Sequence, residues 1–230
     1  MKLSPRSLKI ILFLSVIVNL LLAYKVIKAK YFGYEPDLTF NRKDLFSHLK
    51  IDTGSIVFIG NSLTQQFELA ELFQDTAIRN RGINGDNLTG IFSRLPAIIA
   101  AKPKKIFLEA GINDIIQGAD HKTLLKNYRK IIVRLQQESP ESKLHVESLL
   151  PVSPQGTFIR RTNVNNETIR EVNKALQSFC ASQNITFINL YSAFELSGEM
   201  NPKYCIVDGV HISGEGYVLL AKLLRPFVNE

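Results

Sequence analysis

The sequence is poor in the residues that most often build metal centres and disulfide frameworks. Among 230 residues there are two cysteines, four histidines and no tryptophan. No group of His, Cys, Asp and Glu has the spacing of metal ligands, and no glycine-rich loop ends in Gly-Lys-Ser/Thr. The sequence therefore gives no support for a metal enzyme or a P-loop protein. Cys180 and Cys205 permit one disulfide in an exported protein, but we expect both to be unpaired and partly buried.

Acidic residues are absent from the first 30 residues, which contain six lysines and arginines. The formal net charge is +7, so this segment accounts for nearly all of it and residues 31–230 carry only +1. A nucleic-acid-binding surface requires clustered Lys and Arg on the folded domain itself. We therefore expect no nucleic-acid partner.

An uncharged run of fifteen residues lies within this basic segment, at residues 10–24. Its length suits the apolar core of a signal peptide and, with some membrane thinning, a spanning helix, which needs roughly 20 residues. No Ala-x-Ala cleavage site closely follows the run, so we predict an uncleaved signal anchor over residues 1–30, with a cleaved signal peptide as the alternative. The rest of the chain is then expected outside the cytoplasm, either anchored to the membrane or secreted.

Apolar runs of strand length alternate with segments of helical periodicity through the rest of the chain. Strands are predicted at residues 55–59, 77–80, 105–109, 143–150 and 185–190, and helices at 64–73, 87–101, 122–137, 167–182 and 213–228. This alternation predicts an α/β fold, with a parallel sheet covered by helices on both faces. The chain is therefore divided into the N-terminal segment 1–30, a connecting segment 31–53 with a short amphipathic turn at 43–49, and a domain over residues 54–230.

Four short segments carry polar groups suited to catalysis, and each follows a predicted strand or lies in a late loop. They read Gly-Asn-Ser-Leu at 60–63, Asn-Arg-Gly-Ile-Asn-Gly-Asp at 80–86, Gly-Ile-Asn-Asp at 111–114 and Asp-Gly-Val-His at 208–211. In open α/β sheets, ligands bind outside the carboxyl ends of the strands. The positions of the four segments therefore agree with the expected place of a site.

Ser62, His211 and Asp208 have the chemical types of a nucleophile, its base and the group that orients the base. A serine hydroxyl is a weak nucleophile until a base removes its proton. Of the four histidines, His211 alone has a carboxylate, Asp208, at a spacing that lets one loop hold both. Taken singly, Ser62 suits a helix N-cap and Asp208 suits a surface turn, so the interpretation rests on the whole set.

Gly85 and Asn113 supply the neutral donors that a catalytic serine requires nearby. An oxyanion hole needs preorganised donors, and a backbone amide together with a side-chain amide meets that need. Glycine also lets the backbone approach a ligand closely. Taken singly, Gly85 suits a turn and Asn113 suits a loop cap, so these two residues also gain their meaning from the set.

Together the four segments resemble the sequence blocks of the SGNH hydrolases, also called the GDSL-like esterase/lipase family. The family is named for Ser, Gly, Asn and His, which correspond here to Ser62, Gly85, Asn113 and His211. The resemblance implies a flavodoxin-like α/β/α sandwich and hydrolysis of carboxylic esters without a metal or cofactor. It implies that Ser62 attacks the acyl carbon, that His211 transfers the proton and that Asp208 orients His211. It also implies an oxyanion hole formed by the amides of Ser62 and Gly85 and the side chain of Asn113.

The resemblance covers residues 54–228, and one position departs from it. Asn61 stands where the first block usually has aspartate, which removes a charge beside the nucleophile. We expect this change to leave the role of Ser62 intact and to alter local hydrogen bonding or the pH profile. Glu109, Asp86 and Asp114 are interpreted as structural residues.

The substrate that we expect is an ester of a short acyl group, above all acetyl, on a carbohydrate. A lysophospholipase or acyl thioesterase is the alternative enzyme, and a non-catalytic binding domain on the same fold is the alternative from another class. The expected partners are a small-molecule or glycan ester and a membrane contacted by the N-terminal helix. Arg160 and Arg161 follow a predicted strand, and we expect them to lie in a solvated loop.

Overall fold

The computed structural model describes residues 5–32 and 38–230, and predictions that rest on residues 1–4 and 33–37 lie outside the described residues. Two compact units are distinguished, Met1–Phe40 and Asn41–Glu230. The predicted boundaries of the N-terminal and connecting segments stay predictions. Within the connecting segment, the predicted amphipathic turn is part of a helix, α2 (Leu38–His48).

The N-terminal segment forms one helix, α1 (Pro5–Phe32). It begins at a proline, which suits the first helical position because the missing N–H would have no partner there. Its large apolar side chains between Ile11 and Leu22 are exposed. Among the described residues, no helix has both the length and the apolar content needed to cross a membrane, and the predicted spanning helix is thus not found among them.

The second unit is built on a five-stranded sheet with the strand order β2-β1-β3-β4-β5 and parallel pairing throughout. Its strands are β1 (Ile56–Gly60), β2 (Ile78–Gly82), β3 (Lys105–Leu108), β4 (Lys143–Glu147) and β5 (Thr186–Ile188). The α-helices that follow α2 in the chain are α3 (Ser62–Gln65), α4 (Leu69–Phe73), α5 (Leu88–Ala100), α6 (Ile112–Ile116), α7 (His121–Glu138), α8 (Asn166–Ser182), α9 (Tyr191–Phe194) and α10 (Gly214–Asn229). A short hairpin, β6 (Glu195–Leu196) and β7 (Glu199–Met200), precedes α10. This is the flavodoxin-like strand order, and it confirms the predicted α/β fold.

Helices cover both faces of the sheet because successive side chains of each strand point to opposite sides. Val57 and Ile59 of β1 belong to the apolar cluster formed with α5, α7 and α8. Phe58, between them, belongs to the cluster formed with α3, α4 and α10. The central strands β1 and β3 are thus buried on both faces, which explains their largely apolar sequences, and the helices on both sides confirm the predicted three-layer sandwich.

The strand predicted at 185–190 is reduced to β5 (Thr186–Ile188), and two other predicted elements are divided or end early where asparagine side chains bind the backbone. The predicted helix at 64–73 is divided into α3 and α4, and the side-chain amide of Asn80 donates to the carbonyls of Thr64 and Phe67 between them. The predicted strand at 143–150 ends at Glu147, after which the side chain of Asn173 binds the N–H and C=O of Leu149. Such long-range partners are invisible to a local pattern.

The cysteines do not form a disulfide. Cys180 is buried in α8 and Cys205 is half-buried in the loop before α10, and both are free thiols. Cys180 is thus fully buried, and only Cys205 is partly buried as expected of both.

Candidate active site

The nucleophile candidate lies where the central strand β1 turns into helix α3. Ser62 is the first residue of α3, and its neighbour Asn61 is the N-cap, whose side-chain oxygen accepts a hydrogen bond from the amide of Leu63 at 2.8 Å. Because Asn61 caps the helix, the interpretation of Ser62 as an N-cap is wrong. The Ser62 hydroxyl is left available for a different partner.

That partner is His211, which the fold brings to Ser62 across 149 residues of sequence. The imidazole Nε2 lies 2.8 Å from the Ser62 hydroxyl, and Nδ1 lies 2.6 Å from a carboxylate oxygen of Asp208. If Nδ1 carries the proton and donates it to Asp208, Nε2 is the acceptor for the serine proton. The three predicted residues thus form one continuous hydrogen-bonded chain.

Asp208 is held by the loop that carries His211. One carboxylate oxygen accepts hydrogen bonds from the amides of Val210 and His211, and the other oxygen contacts the imidazole. Burial alone would raise the pKa of Asp208, but these hydrogen bonds outweigh it and hold the pKa below its usual value. Asp208 therefore stays ionised and acceptor-only throughout the neutral range.

The segment that contains Phe158 and Ile159 is hydrogen-bonded to the Asp208 loop. The amides of Phe158 and Ile159 donate to the carbonyl of Asp208 at 3.1 Å. At the contact, a Cβ on Gly209 would lie 2.5 Å from a backbone carbonyl oxygen, and one on Gly156 would lie 2.3 Å from the Gly209 Cα. Glycine is required at both positions because the two backbones are too close for a side chain. Arg160 and Arg161 lie in this supporting segment and are exposed, as predicted.

The candidate oxyanion donors follow the two strands that flank β1. Gly85 lies in the turn after β2 with φ +73°, and Asn113 lies in α6 just after β3. The side-chain amide of Asn113 donates to the carbonyl of Asp86 at 2.8 Å, which ties the second and third segments together. In the described part of the chain, no atom lies within 4 Å of the place that a Cβ on Gly85 would take, so the positive φ rather than close packing favours glycine there. The assignment of both residues to an oxyanion hole stays a prediction.

Asp86 and Asp114 have structural partners that fix these loops. The Asp114 carboxylate accepts the amide of Leu88 at 3.0 Å, at the start of α5. Asp86 pairs with the buried guanidinium of Arg94 at 2.8 Å, and burial raises the pKa of Asp86 although Arg94 opposes the rise. These contacts agree with the interpretation of both aspartates as structural residues.

Arg94 was not singled out in the sequence, although it connects three parts of the site. Its guanidinium binds Asp86, the carbonyl of Arg81 at 2.6 Å and the carbonyl of Gly60 at 3.0 Å, and Gly60 is the first residue of the nucleophile segment. Arginine is suited to this position because its fork presents several donors in a fixed geometry. The available signal was its place on the apolar face of α5, three residues after Ile91.

Two buried carboxyl groups, those of Glu109 and Glu147, lie near the nucleophile segment. Glu109 follows β3 and contacts the side chain of Asn61, whereas Glu147 ends β4. Burial raises the pKa of Glu109 to about 7 and that of Glu147 to about 8, and the nearby Glu109 adds to the effect on Glu147. Glu147 was not singled out in the sequence. Its signal was a carboxylate inside the strand predicted at 143–150.

The fold and the site together define a class of protein. A serine at the carboxyl end of the central strand, bonded to a histidine that a carboxylate orients, is the arrangement of serine hydrolases. The chain belongs to the GDSL-like Lipase/Acylhydrolase family, whose family model matches residues 58–219. This confirms the resemblance to SGNH hydrolases and identifies residues 58–219 as a domain of an ester-hydrolysing family.

Among curated proteins, the chain is 25% identical over 188 residues to an N-acylneuraminate cytidylyltransferase of Streptococcus agalactiae serotype V. The match covers 82% of this chain but only 42% of that protein. The chain thus spans about two fifths of the length of the curated relatives that it matches.

Solved structures show the same fold. A Streptococcus pneumonia protein provisionally described as a platelet activating factor is 26% identical, with a TM-score of 0.74, over 90% of this chain and 98% of that one. A GDSL-like lipase from Bacteroides thetaiotaomicron is 21% identical, with a TM-score of 0.73, over 83% of this chain and 97% of that one.

Proposed function

We propose that this protein is a serine esterase that removes short acyl groups, above all acetyl, from carbohydrate. The observation that carries the proposal is the hydrogen-bonded chain from Ser62 through His211 to Asp208. No metal or cofactor is required, because a base that can remove the serine proton already touches it.

In the proposed reaction, Ser62 Oγ attacks the acyl carbon while its proton moves to His211 Nε2. The tetrahedral intermediate collapses to an acyl-serine as His211 returns the proton to the leaving alcohol. Water then attacks the acyl-serine with the same histidine as base, which frees the acid and Ser62. Asp208 holds the imidazole in the productive tautomer and stabilises its charged form.

The developing negative charge on the acyl oxygen is assigned to three donors. These are the backbone amides of Ser62 and Gly85 and the side-chain amide of Asn113. Two features support the assignment: the three residues follow neighbouring strands of the sheet, and the bond from Asn113 to Asp86 holds its amide beside the Gly85 turn. Such donors act best when they are preorganised, and Arg94 contributes by fixing the backbone at Gly60.

Carbohydrate is proposed as the alcohol part of the substrate. The support is the matched S. agalactiae relative, whose name describes an enzyme acting on an N-acylated sugar acid. Arg160 and Arg161 are exposed in the segment that supports the Asp208 loop, where they could pair with an acidic sugar.

One observation favours a second candidate, hydrolysis of longer acyl esters such as lysophospholipids or thioesters. Phe158, Ile206 and Val207 are large apolar residues exposed by 44%, 44% and 75%. They lie on two loops that are hydrogen-bonded beside Asp208, and we call these three residues the apolar rim. An exposed apolar cluster beside a catalytic site can bind an apolar part of a substrate.

Turnover of acetyl and octanoyl esters by the purified protein separates the two candidates. We expect kcat/KM for the acetyl ester to exceed that for the octanoyl ester by about tenfold or more, since an apolar chain without a matching pocket gains little from binding. The reverse preference, if lost in Val207→Ser and retained in Val218→Ser, would support the second candidate. Val218 is a matched control because it is also a valine and is well exposed, by 60%, but lies on α10. A folded protein that hydrolyses neither ester would favour the binding-domain alternative.

We further propose that α1 associates with a membrane and that the catalytic domain lies outside the cytoplasm. The support is the exposed apolar surface of α1 between Ile11 and Leu22 together with the cations Arg6 and Lys9 in the first turns of the same helix. We expect the protein in the membrane fraction of cells and its catalytic domain to be cleaved by protease added outside the cytoplasm. Recovery in the cytosolic supernatant, protected from that protease, would contradict the proposal. Identification of the N-terminal residue of the mature protein shows whether the N-terminal segment 1–30 is cleaved.

A further inference from the structure

Asn61, the residue before the nucleophile, is fully buried and uses both ends of its side chain. Its oxygen accepts the amide of Leu63 at 2.8 Å, which fixes the first turn of α3 around Ser62. Its nitrogen donates to a carboxyl oxygen of Glu109 through a long hydrogen bond of 3.4 Å. The position of the nucleophile is thus linked through one amide to a buried acid.

Glu109 has few other partners. Its second carboxyl oxygen is buried and has no hydrogen-bond partner in the described part of the chain. Glu109 and Glu147 line a cavity of about 10 Å³ with Leu63 and Thr64, roughly the space of one water molecule. The titratable groups that interact with Glu109 electrostatically are Glu147 on β4, Tyr128 on α7 and Tyr217 on α10.

We propose that Asn61 is a positioning residue that keeps Ser62 in place whether Glu109 is protonated or ionised. The proposal rests on the proposed serine-esterase function, because it concerns the residue that would perform the attack. Asn61 would act through the capped turn of α3 and not on the substrate.

The chemistry of the amide explains why asparagine is suited to this place. The N–H of Asn61 can donate to the carboxylate of Glu109 and equally to the carbonyl oxygen of its neutral form. An aspartate of the same shape has no donor, so it could bind Glu109 only through a shared proton. Once both groups are ionised, two like charges would face each other in a buried place.

This difference matters near neutral pH. Burial raises the pKa of Glu109 to about 7, so its charge changes within the range in which an esterase works. Glu147 lies nearby with a pKa of about 8 and makes a further negative charge more costly. With Asn61 the contact survives this titration, whereas with aspartate it would be lost as the pH rises.

The test compares Asn61→Asp, Glu109→Gln and the double variant by the ratio of their kcat to that of the unmodified protein. We expect the kcat ratio of Asn61→Asp to fall about tenfold between pH 6 and pH 9, with KM unchanged. A tenfold change has the same free energy as about one pKa unit. The ratio cancels any pH dependence of kcat that all variants share. Glu109→Gln should stay within about threefold of the unmodified protein, because the carbonyl of glutamine still accepts the Asn61 amide.

The double variant Asn61→Asp/Glu109→Gln supplies the decisive comparison. Its glutamine amide can donate to the new carboxylate, so we expect its ratio to recover and to be independent of pH. Asn166→Asp is the matched control, because Asn166 is also a buried asparagine but binds only the backbone of Val152. Glu109→Gln should not rescue that variant. A pH-independent ratio for Asn61→Asp, or a double variant that falls as steeply as the single one, would overturn the proposal.

Thermal unfolding separates failure of this inference from failure of the proposed function. A carboxyl group whose pKa is raised by folding stabilises the protein below its unfolded pKa, and that stability is lost as pH rises through the folded pKa. The quantity compared is the amount by which Tm of Asn61→Asp lies below Tm of the double variant. We expect this difference to be about 4 °C larger at pH 8.5 than at pH 5.5. Equal differences at the two pH values would contradict the inference. A protein that hydrolyses no ester but shows this shift would overturn the proposed function alone.

Discussion

Replacing Ser62 with alanine is expected to lower kcat for ester hydrolysis by about 10⁴-fold or more. The reason is that no other group in the hydrogen-bonded chain can form the acyl intermediate. His211 would then have only water to activate, and the remaining rate would reflect substrate binding and the oxyanion donors. The measurement is initial rate on an acetyl ester, with enzyme concentration checked by absorbance.

The fold should tolerate this replacement, which makes the result interpretable. Ser62 caps nothing, because Asn61 provides the cap of α3, and its only described side-chain partner is His211. Thermal unfolding of Ser62→Ala should therefore stay close to that of the unmodified protein. Ser178→Ala, on the exposed side of α8, is the matched control and should retain full activity. Retention of activity in Ser62→Ala would place the nucleophile elsewhere.

The fold was predictable from the sequence because its strands and main helices are strongly patterned. Residues 105–109 and 122–137 gave β3 and α7 almost to the residue, since their apolar positions have the periods of a buried strand and an amphipathic helix. The asparagine contacts that divide α3 from α4 were not predictable, because Asn80 lies in β2, which follows both helices in the sequence.

The site was predictable for a different reason, since its chemistry requires particular residue types at the carboxyl ends of strands. Ser62, Asp208 and His211 were chosen as a set, and the structure brings them within hydrogen-bonding distance. Arg94 and Glu147 were missed because burial gives them their importance. A charged residue on an apolar face becomes informative only when its partners are known.

Replacing His211 with alanine is expected to reduce kcat nearly as much as Ser62→Ala, whereas Asp208→Asn should reduce it less, by roughly 10²- to 10⁴-fold. Without His211 no base touches the serine. In Asp208→Asn the side-chain carbonyl can still accept the amides of Val210 and His211, so the loop keeps its shape. The loss arises because an amide facing Nδ1 no longer selects the productive tautomer.

The relative loss of kcat in the two variants tests the assigned roles. His211→Ala removes the base, whereas Asp208→Asn removes the group that orients it. Both are measured on the acetyl ester, and near-ultraviolet circular dichroism checks that the loop has not collapsed. Val210→Ala is the matched control within the loop, since it keeps the backbone amide that binds Asp208 and changes only an apolar side chain. If Asp208→Asn proved more damaging than His211→Ala, the carboxylate would have to act on the substrate directly, and the assigned order from Asp208 through His211 to Ser62 would be wrong.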